Sequence, residues 1–138
     1  MKKSLLTKLT VEQCGKSLEL ACEISELAKI KDCIFDLPVD NGQQKKIFLA
    51  CEEIFSNIAN YSEAKNVEFY YYKNADSVTV IFVDDGKLFN PLARKNEKDF
   101  DDFDEGGMGI SLVKELCSGI HYNSSDGKNV LSLEFADK

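Results

Sequence analysis

Val78-Thr79-Val80-Ile81-Phe82-Val83, running straight into Asp84-Asp85-Gly86, decides the fold. The six residues are β-branched or aromatic, and all but Thr79 are apolar. Such a run suits a strand in the middle of a sheet, covered on both faces. The strand is predicted over residues 77–84, with a partner strand over 66–73. Two more strands are expected over 119–124 and 129–135, and Asp126-Gly127 between them is the signature of a tight hairpin turn.

Helices are expected around these strands. Val11, Cys14, Leu18, Cys22 and Ser25 recur at helical spacing, so residues 11–30 are predicted as a helix. Leu20, Ile24 and Leu27 add a second apolar stripe to it. Two stripes mean burial on two sides, either both within the core or one against a partner, and the second option leads to an expected homodimer. Residues 4–9 are expected to form a short strand, and 31–42, with Pro38 and Gly42, a connection. A second helix is predicted over 43–61, with Ile47, Cys51, Ile54, Phe55 and Ile58 on its core face. Residues 85–108 combine glycines, a proline and many charges without periodicity, which reads as a lid, with a third helix following over 109–117. The order β-α-α-β-β-α-β-β implies an α/β (α+β) two-layer sandwich. Its sheet is mostly antiparallel and mixed, helices pack on one face, and residues 1–138 form a single domain.

Composition narrows the function. The 138 residues suit one core, and 43% of them are hydrophobic. A net charge of −7 argues against nucleic acid and against an anionic membrane surface, both of which need a basic face. A compact anion is still admissible, because backbone N–H groups at a helix start can hold it. The five cysteines, at 14, 22, 33, 51 and 117, contain no C-x-x-C pair, so no zinc site is expected and reduced thiols point to the cytoplasm. Met1-Lys2-Lys3-Ser4-Leu5-Leu6 imitates the start of a signal peptide until Lys8 interrupts it, and no apolar run reaches membrane-spanning length.

Three constellations carry chemistry. Glu53 and Asn57 lie at i, i+4 on one flank of the second helix. A carboxylate there can orient or deprotonate a hydroxyl, and a carboxamide oxygen suits Mg²⁺, although such pairs are also common on solvated helices. Asp84-Asp85-Gly86, with Phe89-Asn90-Pro91 beyond it, leaves the most apolar strand. Asp84 can accept from a base amino group and Gly86 permits an unusual turn, or the run is a plain strand exit. Gly106-Gly107-Met108-Gly109 opens the third helix at Ile110 and exposes N–H groups to a phosphate, or serves as a lid hinge.

The conjunction is more specific than its parts. Leu49-Ala50-Cys51-Glu52-Glu53-Ile54-Phe55-Ser56-Asn57-Ile58-Ala59-Asn60-Tyr61, then Asp84-Asp85-Gly86 with Phe89-Asn90-Pro91, then Gly106-Gly107-Met108-Gly109-Ile110 with Leu112-Val113, resemble the GHKL ATPases of the Bergerat fold. Within them the chain is most similar to the small anti-sigma-factor serine/threonine kinases. The ending Asp126-Gly127-Lys128-Asn129-Val130-Leu131 is also similar, and the resemblance spans about residues 45–135. It implies ATP and Mg²⁺ as cofactors, Glu53 as catalytic base and Asn57 as Mg²⁺ ligand. It further implies that Asp84 takes the adenine amino group, that Gly86 shapes the pocket, and that residues 106–109 cradle phosphates. Asn90, Ile110 and Asn129 complete the expected nucleotide-binding set. The chain departs from the family at Asn129, where threonine is frequent, and at Asp104 and Glu105, where a basic residue is frequent. It departs again at Tyr61, where some relatives have histidine.

The resemblance implies an ATP-dependent kinase that phosphorylates a small antagonist protein and holds a sigma factor. The alternative is a non-catalytic ATP-gated protein that sequesters its partner. The catalytic part of a histidine kinase ranks third, because no phospho-accepting helical hairpin is evident. His121 and the cysteines at 51 and 117 read as structural, Tyr70-Tyr71-Tyr72 as a strand with both faces in use, and the acidic run 99–105 as a solvated lid.

Overall fold

A computed structural model describes residues 17–93 and 104–136. Five strands form one sheet: β1 (Ser17–Ala21), β2 (Asn66–Lys73), β3 (Ser77–Asp84), β4 (Gly119–Ser125) and β5 (Lys128–Ala136). Their spatial order is β1-β2-β3-β5-β4, and every neighbouring pair is antiparallel. The apolar run therefore lies in the centre, as its composition demands, and all eight residues of β3 are buried. Phe69, Phe82 and Phe135 point to one face, where the main core forms, while Ile81, Val83 and Val130 make a small cluster on the other.

Three helices cover the main face: α1 (Leu27–Ile34), α2 (Asn41–Tyr61) and α3 (Asp104–Leu116). Asp40 caps α2, accepting from Gln43 N at 2.8 Å, which satisfies one of the four N–H groups left open at a helix start. Ile47, Ala50, Cys51, Ile54, Phe55 and Ile58 then form its buried stripe, each at most 9% exposed. The β4–β5 hairpin closes through Asp126 and Gly127, both at positive φ (55° and 77°), the geometry of a type I′ turn.

Two expectations are corrected. Residues 17–30 are not one helix: β1 occupies 17–21, a single 3-10 turn spans Ile24–Glu26, and α1 begins only at Leu27 and continues into the predicted connection. Ser17-Leu18-Glu19-Leu20-Ala21 alternates strictly, and pairing with β2 places Leu20, 2% exposed, in the core. The homodimer argument built on that two-striped helix falls with it. Further along, α3 starts at Asp104 rather than Gly109, five residues early. Glycine weakens a helix without breaking it, and the buried Ile110 and Val113 anchor the turns that follow. The predicted strand 4–9 and the lid segment 94–103 lie outside the described residues.

Candidate nucleotide site

The strand exit at Asp84 is built around contacts that only these residues allow. A Cβ on Gly86 would stand 2.3 Å from the Ser62 carbonyl oxygen and 2.8 Å from Ser62 Cβ, so any side chain there would collide with the end of α2. This close approach lets Lys87 N donate to the Ser62 carbonyl at 2.7 Å. Ser62 is the C-cap of α2, and its hydroxyl donates to the Ile58 carbonyl at 2.7 Å. Strand β3 and helix α2 are thus pinned together at one end, and a cavity of about 490 Å³ opens between them, within the usual range for small-molecule sites.

The two adjacent aspartates do different work. Asp85 points away and accepts from Lys65 N at 2.8 Å and Asn66 N at 3.2 Å, which fixes the start of β2. Those two backbone N–H groups hold its carboxyl below the usual range. Asp84 lines the cavity and is 5% exposed. Its Oδ1 accepts from Gly86 N at 2.9 Å and from Asn129 Nδ2 at 3.0 Å. Burial raises its pKa, and these two bonds oppose the rise.

Ile54, Asn57, Ile58 and Tyr61 line the cavity from α2, and Leu88, Phe89 and Pro91 line it from the segment that follows β3. Ile110 of α3, Tyr122 of β4 and Leu131 of β5 close the space. An apolar slot ending in one buried acceptor is suited to a flat base carrying an amino group. Asn57 contributes the wall's amide, and its oxygen is the kind of neutral ligand Mg²⁺ accepts beside phosphate oxygens. Glu53, half-buried, lies one turn earlier, about 6 Å along the axis, and the cavity lining does not include it.

Other expected residues fall differently. The Asn90 side chain accepts from Leu92 N at 2.8 Å, a local turn at the start of a 3-10 segment, and does not line the cavity. Gly106, Gly107, Met108 and Gly109 lie within the first two turns of α3 instead of before it. Gly106 and Gly107 still belong to the four leading N–H groups that a helix leaves open. Ser62, Tyr122, Leu88 and the cavity role of Tyr61 escaped sequence reading. Only Tyr122 carried a signal, since Ile120 and Tyr122 alternate toward the core. Among the described residues no group of three or more His, Cys, Asp or Glu could hold a metal by itself.

A two-layer α+β domain whose sheet and helices frame a largely apolar cavity beside a buried carboxylate has the make-up of a small-molecule-binding domain. The sequence matches the model of the histidine kinase-like ATPase domain over residues 25–135, and the chain belongs to that family. Among solved structures it is similar to the Acinetobacter baumannii histidine kinase AdeS. The TM-score is 0.54 at 14% identity, over 99% of this chain and 76% of that one, which is a likeness of fold. No curated protein matches the sequence. Among the described residues, no helix is long and apolar enough to cross a membrane.

Proposed function

We propose that this chain is a cytoplasmic ATP-dependent serine/threonine kinase of the anti-sigma type, acting on a small antagonist protein and holding a sigma factor. The observation that carries the proposal is the buried Asp84 acceptor at the end of an apolar slot whose wall also presents Asn57, with Glu53 one turn earlier on the same helix. Asp84 accepts from the adenine amino group, and the apolar walls hold the base faces. Gly106 and Gly107 offer N–H groups to phosphate oxygens at the start of α3. Asn57 would hold Mg²⁺, which supplies charge neutralisation on the phosphates. Glu53 receives the proton of the acceptor hydroxyl as its oxygen bonds to the γ-phosphorus and the bond to the ADP oxygen breaks.

A non-catalytic, ATP-gated binding protein is the second reading. It is favoured by the place of Glu53 outside the cavity lining. One experiment separates the two: labelled ATP with candidate antagonist proteins, using wild type, Glu53→Gln, Asn57→Ala and Glu52→Gln. The kinase reading expects Glu53→Gln to bind ATP normally and transfer phosphate about 10²-fold more slowly or worse. It expects Asn57→Ala to lose both binding and transfer, and Glu52→Gln, about 100° round the helix, to change little. Transfer by Glu53→Gln at the wild-type rate refutes the mechanism. Wild type that binds ATP and partner yet transfers nothing selects the second reading. The expected homodimer has lost the helix that motivated it, and sedimentation velocity decides it directly.

A further inference from the structure

Asn129 faces Asp84 across the β3–β5 register and is 6% exposed. An asparagine side chain has two N–H donors and an oxygen with two lone pairs. All four are used inside the protein. Nδ2 donates to Asp84 Oδ1 at 3.0 Å and to the Lys87 carbonyl at 2.9 Å. Oδ1 accepts from Phe89 N at 3.0 Å and from the Tyr122 hydroxyl. No capacity is left for a base, so the expected adenine contact at this position would require one of these bonds to break.

We infer that Asn129 is a positioning residue that sets base recognition without touching the base. It fixes the Asp84 carboxylate and, through the same side chain, the 87–89 loop that lines the cavity. The bonds from Gly86 N and Asn129 Nδ2 both fall on Oδ1, which leaves Oδ2 to meet the amino group of a 6-aminopurine. The bonds to the Lys87 carbonyl and Phe89 N fix the segment that carries Leu88 and Phe89, which line the slot together with Ile54 and Ile58. One amide therefore couples the polar readout of the base to the apolar walls that clamp it. The inference rests on reading the cavity as an ATP site.

The test is isothermal titration of the full chain with Mg-ATP and with purine riboside triphosphate, which has hydrogen in place of the 6-amino group. Wild type is expected to prefer ATP by about 10-fold or more, the effect of one hydrogen bond to a buried carboxylate. In Asn129→Ala the preference should fall to within about threefold, because Asp84 is no longer fixed. In Asn129→Thr the hydroxyl can still donate to Asp84 but cannot also hold the loop. Both affinities should then fall together while the preference survives. Ile34→Ala, a core truncation on α1 outside the cavity, should lower the melting temperature and keep the preference. A merely structural Asn129 would behave like Ile34, so a wild-type preference in Asn129→Ala overturns the inference. If that variant does not fold, Asn129→Thr decides, and loss of its preference has the same effect. Wild type that binds neither nucleotide refutes the ATP site itself, and the role of Asn129 with it.

Discussion

Replacing Asp84 by asparagine should separate stability from binding. The carboxamide has the shape of the carboxylate, and its oxygen can accept the two bonds now made by Gly86 N and Asn129 Nδ2. What disappears is a negative charge buried at 5% exposure, so folding should not suffer. The expected change lies between zero and about 1 kcal/mol of added stability, or up to about 4 °C in Tm for a domain of this size. Binding should respond in the opposite sense. A hydrogen bond to a charged acceptor contributes about 1.5–3 kcal/mol, and the new NH₂ would face the base amino group donor to donor. Mg-ATP affinity should fall about 10- to 150-fold.

The pH dependence of the same pair has a definite sign. Burial raises the folded pKa of Asp84 above the usual carboxylate value of about 3.9. Between those two values the native state holds the proton more than the unfolded chain does. Wild type therefore gains stability on Asp84→Asn as pH falls through the folded pKa, and loses it again as pH rises. The gap between the two proteins should be widest at neutral pH and narrow toward about pH 4. Urea titrations from neutral to acid pH, with ATP titrations at neutral pH, measure both effects. An asparagine variant that binds ATP within about threefold of wild type, or melts more than about 5 °C below it, refutes the role assigned to Asp84.

Two further outcomes follow from the same corner of the fold. Gly86→Ala brings a methyl within 2.3 Å of a backbone oxygen and displaces the Lys87–Ser62 bond. Overpacking of about 1–3 kcal/mol and one lost hydrogen bond should lower Tm by about 5–15 °C and weaken ATP binding; a Tm within about 2 °C of wild type contradicts the contact. Asp85→Ala should lower Tm by only a few degrees at neutral pH, because its two backbone partners are open to water. The depressed folded pKa of Asp85 means that its contribution is present above the usual carboxylate value and is lost as pH falls through the folded one. The difference from wild type should therefore vanish in acid, and its persistence there would count against those bonds.

Strands β2 to β5 and helix α2 were legible because their signals are local. β3 is apolar on both sides, the β4–β5 turn needs two positive φ values that Asp126-Gly127 tolerates, and α2 carries a sustained 3.6-residue stripe. β1 was not legible. Leu18 and Cys22 fit a helix as well as Leu18 and Leu20 fit a strand, and the choice is made by pairing with β2, about 50 residues away. The start of α3 was misplaced because Gly106, Gly107 and Gly109 read as the lead-in to the helix and not as part of it. At the site, Asp84, Asn57 and Gly86 could be named from their motifs. The bonding of Asn129 could not, because it depends on a register that brings together residues 45 apart in the chain. Ser62 has no sequence signal at all: its part is a backbone oxygen under Gly86.

The acceptor and the wall belong to elements of very different local stability. Asp84 ends a strand paired on both sides, so freeing it means disrupting the sheet. The wall at 87–89 is tied down by a few bonds at exposed residues, and Leu88 and Phe89 are 57% and 58% exposed. Loosening this wall removes apolar cover from a filled slot while the acceptor stays in place. Changes that free the 87–89 loop would therefore shorten the time a nucleotide dwells and lower its affinity, yet leave the choice of base with the strand end.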